Sequence, residues 1–229
     1  MSKFFINLIL ICLFGSVSGQ TTQDSTALQT PKTNLKLYKI RMGFDIGNFL
    51  WAKYKKDSAT GFNLDANLYK DYYFLANFGQ ETHLTDNNLL NYTTIGRYFK
   101  IGIGYNLYHN WLDMNNDIMI GLQYAQANFD YFLHAYRINQ PGAIYPPQTI
   151  YVDEKFLNNK AKWLEISTQI QVETFKHLFL GYNVAIKYLM STSTINNFDI
   201  SYIPGFNDKN TYSNFGFGLQ YFISYQLTF

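Results

Sequence analysis

The side chains in this sequence best suited to moving protons or holding a metal near neutral pH are four histidines, His83, His109, His134 and His177. A metal site built on one element needs ligands at short, regular spacing, such as histidines at i and i+4, and no such pair occurs; the single cysteine, Cys12, stands alone. His83 or His134 with Ser191 or Ser193 would supply the base and hydroxyl of an ester-cleaving pair, the chemistry of lipid-modifying enzymes. No fixed spacing ties them together. The stretches "GIGYNLY" and "GFGLQYF" contain Gly-x-Gly, but neither opens a strand-to-helix turn, so they lack the context of a nucleotide fingerprint. The sequence therefore points to no cofactor, no metal and no catalytic set.

The remaining chemistry-bearing residues are charges set among apolar ones at every second position. Lys39, Arg41 and Asp45 alternate with Tyr38, Ile40, Met42 and Phe44; Asp65 lies between Leu64 and Ala66; Lys100 between Phe99 and Ile101; Glu165 between Leu164 and Ile166; Glu173 follows Val172; Lys187 lies between Ile186 and Tyr188. Successive side chains of a strand face opposite ways, so these charges share one face and the apolar residues the other. The period recurs eight times, at residues 37–50, 60–69, 73–84, 94–108, 116–129, 162–174, 178–190 and 214–229, and no stretch after the N-terminal segment shows a convincing helical period. Short turns near residues 70–71, 109–115 and 175–177 alternate with long connections at 51–59, 80–93, 130–161 and 191–213. Across the sixth and seventh strands, counting out from the turn at Phe175 places Lys187 near Glu165, which predicts an ion pair.

Two solvents must meet these faces. Aromatic residues make up 19% of the chain and charged residues only 15%, while mean hydropathy is slightly negative. A soluble barrel would turn its apolar face inward and coat its outside with charge, but the face opposite the aromatics is rich in Gly, Asn and Gln. An even number of antiparallel strands, each near the roughly 9–11 residues that cross a bilayer at a tilt, with short turns at one end and long loops at the other, predicts an all-β fold. The expected architecture is an eight-stranded antiparallel up-and-down transmembrane barrel, with lipid outside and the charges Lys39, Arg41, Asp45, Lys100, Glu165 and Lys187 as an interior network. Eight strands leave an interior that side chains fill, which argues against a diffusion pore.

The N-terminus reads as an export signal over residues 1–19: Lys3, an apolar run from Phe4 to Phe14, and Val17-Ser18-Gly19 before Gln20. Residues 20–36 read as a flexible leader and 37–229 as the barrel. The net charge of +2 offers no nucleic-acid footprint. The terminal "YFISYQLTF", with Tyr221, Ile223, Tyr225, Leu227 and Phe229 at alternate positions, resembles the sorting signal that the barrel-assembly machinery reads in bacterial outer-membrane barrels. With "GQ" after the signal, the Asn/Lys/Tyr-rich composition and "SYIPGF", the chain resembles a small family of Bacteroidota outer-membrane proteins of unassigned function. That resemblance implies location and fold and carries no chemistry. The expected partners are outer-membrane lipid, the assembly machinery during insertion, and a protein gripping the outer loops. Tyr145, Pro146 and Pro147 in one loop and Tyr202, Pro204 and Phe206 in another are the candidate anchors, stiff and amphipathic. The expected role is that of a non-enzymatic docking or accessory subunit of an outer-membrane complex, such as one for barrel assembly or surface-protein export. The alternatives are a free-standing adhesin-like or structural barrel of the OmpX kind, and a lipid-modifying enzyme.

Overall fold

The computed structural model describes residues 39–55, 57–86, 90–108, 115–138, 148–194 and 199–228. The elements are β1 (Lys39–Asp45), α1 (Ile46–Lys55), β2 (Ser58–Tyr69), β3 (Tyr72–Asp86), β4 (Leu90–Asn106), β5 (Asp117–Ile138), β6 (Gln148–Phe175), β7 (Leu178–Thr192), the two-residue strands β8 (Tyr202–Ile203) and β9 (Asn207–Asp208), and β10 (Phe215–Thr228). Eight of them close into an antiparallel barrel in the order β1-β10-β7-β6-β5-β4-β3-β2. Closure joins the first strand to the last, from Lys39 opposite Thr228 to Asp45 opposite Phe222.

The wall is inside out. On β5, Ile118, Ile120, Leu122 and Tyr124 face outward while Met119, Gly121 and Gln123 face in; on β6, Leu164, Ile166, Ile170 and Val172 face outward against buried Glu165, Ser167, Gln169 and Gln171. Ile166 is 60% exposed and Glu165 1%. No soluble fold leaves its largest apolar residues bare around a buried polar core. A closed barrel satisfies its backbone internally and can stand in lipid, and barrels of this construction occupy outer membranes, so the chain is an integral outer-membrane protein.

Above the band the pattern reverses. Beyond Tyr124, the outward residues of β5 become Gln126, Asn128 and Asp130, and the inward ones become Ala125, Ala127, Phe129, Tyr131, Leu133 and Ala135. On β6 the outward Lys160 and Lys162 oppose inward Ala161 and Trp163. The period of two persists while its hydrophobic phase flips, because water replaces lipid outside and a packed apolar core replaces polar filling inside. The inner core here unites Tyr92, Tyr98, Phe129, Tyr131, Leu133 and Trp163 with Ile200, Ile203 and Phe206 from the β7–β10 connection. What reads as a loop at 130–161 is thus mostly strand: β5 and β6 run on as a ribbon to Ile138 and from Gln148.

The expected strand at 37–50 also ends early. Asp45 accepts a hydrogen bond from the Asn48 amide at 2.9 Å, which is an N-cap, and the chain turns into α1. Beyond Phe44, opposite Phe62, and Asp45, opposite Phe222, neither β2 nor β10 continues its ladder to β1. α1 packs against those two strands at this place and leaves Leu50, Trp51 and Tyr54 exposed. The short turns are closed by local bonds. Lys70 and His177 take positive φ, the Asn67 side chain donates to the Lys70 carbonyl at 2.7 Å, and Glu173 accepts from the His177 amide at 2.8 Å.

Candidate functional site

Three arrangements of polar side chains emerge from this wall. The lowest is centred on Arg41, fully buried. Its guanidinium pairs with Asp117, donates to Gln171 at 2.7 Å, and lies between the rings of Tyr73 and Phe179, 5.4 and 5.1 Å from their centroids. Gln171 in turn donates to Asp65, which also accepts from Gln169 at 2.9 Å. Asn106 donates to Asp117 at 2.6 Å. One cation thus faces two carboxylates in a site from which lipid and bulk water are excluded. Lys39 lies beside it, half-buried, with Nζ 3.4 Å from Asn115 Oδ1.

The middle arrangement corrects the expected pairing. Lys187 does stand opposite Glu165 in register, but Glu165 pairs with Lys100 from β4 at 2.9 Å and accepts from the Trp163 indole at 3.2 Å. Lys187 donates instead to the Gly205 and Phe206 carbonyls at 2.9 and 3.3 Å. A lysine reaches those carbonyls because the β7–β10 connection dips into the barrel mouth, which counting along β6 and β7 cannot show. Glu81 holds the same segment from the other side, accepting from the Tyr202 hydroxyl at 2.8 Å and the Gly205 amide at 2.9 Å. Burial, followed by the adjacent Glu81 carboxylate, raises the Tyr202 hydroxyl well above its ordinary pKa, so it remains a donor. Gly205 has φ of +76°, and a Cβ there would lie 2.4 Å from the Tyr98 ring, so both the backbone conformation and the close approach require glycine. The space left among these groups is about 20 Å³, room for about one water.

This geometry overturns the reading of Tyr202, Pro204 and Phe206 as partner anchors. Pro204 and Phe206 are buried, Phe206 packs edge-on against Trp163 with centroids 5.7 Å apart, and Tyr202 is bonded to Glu81. The segment is a stopper for the barrel mouth. The second candidate set, Tyr145, Pro146 and Pro147, lies outside the described residues, as do the export signal, the leader and Phe229. Of the terminal pattern, Tyr221, Ile223 and Tyr225 face outward, and Leu227 is half-buried. Asp45 is buried at the foot of α1 as its cap.

The uppermost arrangement was not legible from spacing. Asp57 Oδ2 lies 2.9 Å from His83 Nδ1, and His83 Nε2 lies 3.0 Å from Thr85 Oγ1, an acid, base and hydroxyl in line. The signal available in sequence was His83-x-Thr85, which puts both on one face of a strand. Its hydroxyl is a β-branched secondary alcohol, and the neighbouring Leu84 amide, a natural oxyanion donor, already donates to Asp57 Oδ1 at 2.8 Å. The His83 ring stacks on Tyr202 at 3.9 Å, so the line clamps the α1–β2 turn and the stopper to β3. His134 binds Thr93 at 3.0 Å, on a different strand from Ser191 and Ser193; Ser193 bonds to Lys160. Among the described residues no group of three or more His, Cys, Asp or Glu could hold a metal.

Three solved structures resemble the fold: Ail, the attachment invasion locus protein of Yersinia pestis (11% identity, 83% of this chain and 98% of that one, TM-score 0.41); Neisserial surface protein A (6%, 83% and 96%, 0.42); and a major outer-membrane protein of Thermus thermophilus (11%, 83% and 98%, 0.42). No curated protein matches the chain. The model of a domain of unknown function, DUF6048, matches residues 1–229, and the chain belongs to that family.

Proposed function

We propose that the protein is a free-standing, non-enzymatic outer-membrane barrel of the small adhesin type, which docks an extended polypeptide outside the cell by strand addition to β6. The observation that supports this is an uncovered sheet edge. β7 pairs with β6 only up to Thr192 opposite Ala161, while β5 accompanies β6 to Ile138 opposite Gln148. Among the described residues no strand covers the other side of β6 above Lys160, where Ser193 caps the ladder through the Lys160 carbonyl at 2.8 Å. Such an edge offers unpaired backbone donors and acceptors to an incoming strand.

The edge is selective. Asp153 and Asn158 take positive φ, which kinks the strand, and Asp153, Glu154 and Lys155 place charge on it, the devices that keep an edge from pairing indiscriminately. The stretch Thr149 to Val152 carries no charge and is β-branched or aromatic, with Tyr151 80% exposed. An accessory-subunit role is the case in which the docked polypeptide belongs to an outer-membrane complex. With a photo-crosslinking residue at Val152, intact cells should give a discrete protein adduct that is lost in Tyr151→Lys, because a lysine blocks edge pairing without disturbing the barrel. Absence of any adduct, or an adduct indifferent to that lysine, would reject strand addition.

A further inference from the structure

Three in-register rows cross the outer face of the barrel. The lowest is Met42, Leu64, Ala76 and Ile101; the next is Phe44, Phe62, Phe78 and Phe99; above it run Thr60, Gln80, Arg97, Asn128 and Lys160. At Ala76 the lowest row drops to a methyl group between Leu64 and Ile101. The result is an apolar groove of about 390 Å³, bordered by Met42, Phe62, Leu64, Phe78 and Phe99, within the size range of ligand sites. Directly above Phe78 and Phe99, the Arg97 Nε donates to Gln80 Oε1 at 3.2 Å. This fixes the plane of the guanidinium and leaves its terminal nitrogens for an outside acceptor.

Arg97 is not alone at this height. Lys160 lies two strands away in the same row, about 10 Å off at the usual strand spacing, and Lys162 is the next outward residue below it, opposite Gln126. All three are exposed, and among the described residues none is in an ion pair within 4.0 Å. Aromatic or basic anchors spread evenly around a barrel would be ordinary interfacial residues. Here, among the described residues, the three cations at this height lie on β4 and β6 alone, and β7 and β10 end their outward apolar faces in Met190 and Phe215. A hydrocarbon groove capped on one side by clustered positive charge matches a molecule with an acyl chain and an anionic phosphate.

We propose that this face binds one anionic, phosphate-bearing membrane lipid, with an acyl chain over Ala76 and its phosphate on Arg97, supported by Lys160 and Lys162. Native mass spectrometry of the folded protein, titrated with dimyristoyl phosphatidylglycerol or dimyristoyl phosphatidylcholine, tests it with chains held constant and charge varied. The anionic lipid should bind about tenfold more tightly, as loss of a few exposed charge contacts implies. R97Q/K160Q/K162Q should abolish that preference, and Ala76→Leu, filling the hollow, should weaken both lipids and leave their ratio intact. Inorganic phosphate alone should compete poorly. Equal binding of the two lipids, a preference that survives the triple variant, indifference to Ala76→Leu, or displacement of the lipid by millimolar phosphate would each overturn the proposal. Heat-modifiable migration in electrophoresis verifies that every variant is folded, since the substituted side chains face outward and leave the ladder untouched.

Discussion

Arg41→Met should destabilise the barrel by about 3–5 kcal/mol, the range for breaking a buried ion pair by removing one partner. The wild-type guanidinium is sealed between Tyr73 and Phe179 and answers both Asp117 and, through Gln171, Asp65. Methionine fills much of the same volume but leaves two buried carboxylates facing each other without a cation. The cost belongs to the stranded charge and not to lost packing. Arg41→Met combined with Asp117→Asn should therefore recover at least half of the loss, whereas two independent contacts would make the double variant worse than either single one. Urea titration in vesicles, following the folded band in unboiled gels, measures all three. Additive losses would show that the network is not a coupled unit.

Ile166→Arg should cost about 2–4 kcal/mol, the penalty for arginine at the bilayer midplane of an outer-membrane barrel. Ile166 faces outward near the middle of the apolar band and is 60% exposed. The same strand provides its own control. Lys162, four residues away and on the same outward face, already carries a charge, because it lies above the apolar band. Gln126→Arg, opposite Lys162 on β5, should accordingly change stability by less than about 1 kcal/mol, as expected near the interface. If Ile166→Arg proved as mild as Gln126→Arg, lipid would not be what covers β6. The urea titration used for Arg41 resolves this comparison.

Eight strands, their antiparallel order and the inward set of charges were legible because alternation is a local property, and each strand's outer face had to be apolar along the band. The upper half of the molecule was not. From Ala125 the inward face of β5 turns apolar and from Gln126 the outward one turns polar, so apolar residues on a fixed phase mark the end of a strand at Phe129 although the strand continues to Ile138. α1 is hidden in the sequence for a related reason. Ile46 and Gly47 prolong the alternation of β1 by two residues, and only the Asp45 cap on Asn48 marks the break. Pro204 and Phe206 pass for partner anchors in the sequence because prolines and aromatics in a long connection suit an interface equally well as a core. The cavity left by the mouth of the barrel, and the Lys187 and Glu81 side chains waiting there, decide for the core. Register alone sets Lys187 opposite Glu165, and it cannot show the Gly205 and Phe206 carbonyls that take the lysine, since they come from a segment remote in sequence. The row Gln80, Arg97 and Lys160 is invisible until the strands are in register.

The most direct test of an inside-out barrel is a nitroxide scan along β6 from Leu164 to Gln171, with Cys12 replaced by serine and the protein folded into vesicles. Collision with oxygen, which partitions into lipid, should rise at 164, 166, 168 and 170 and fall at 165, 167, 169 and 171, with the even positions shielded from a water-soluble nickel relaxant. Even positions open to the nickel reagent, or accessibility with no period of two, would contradict a wall whose apolar face meets lipid.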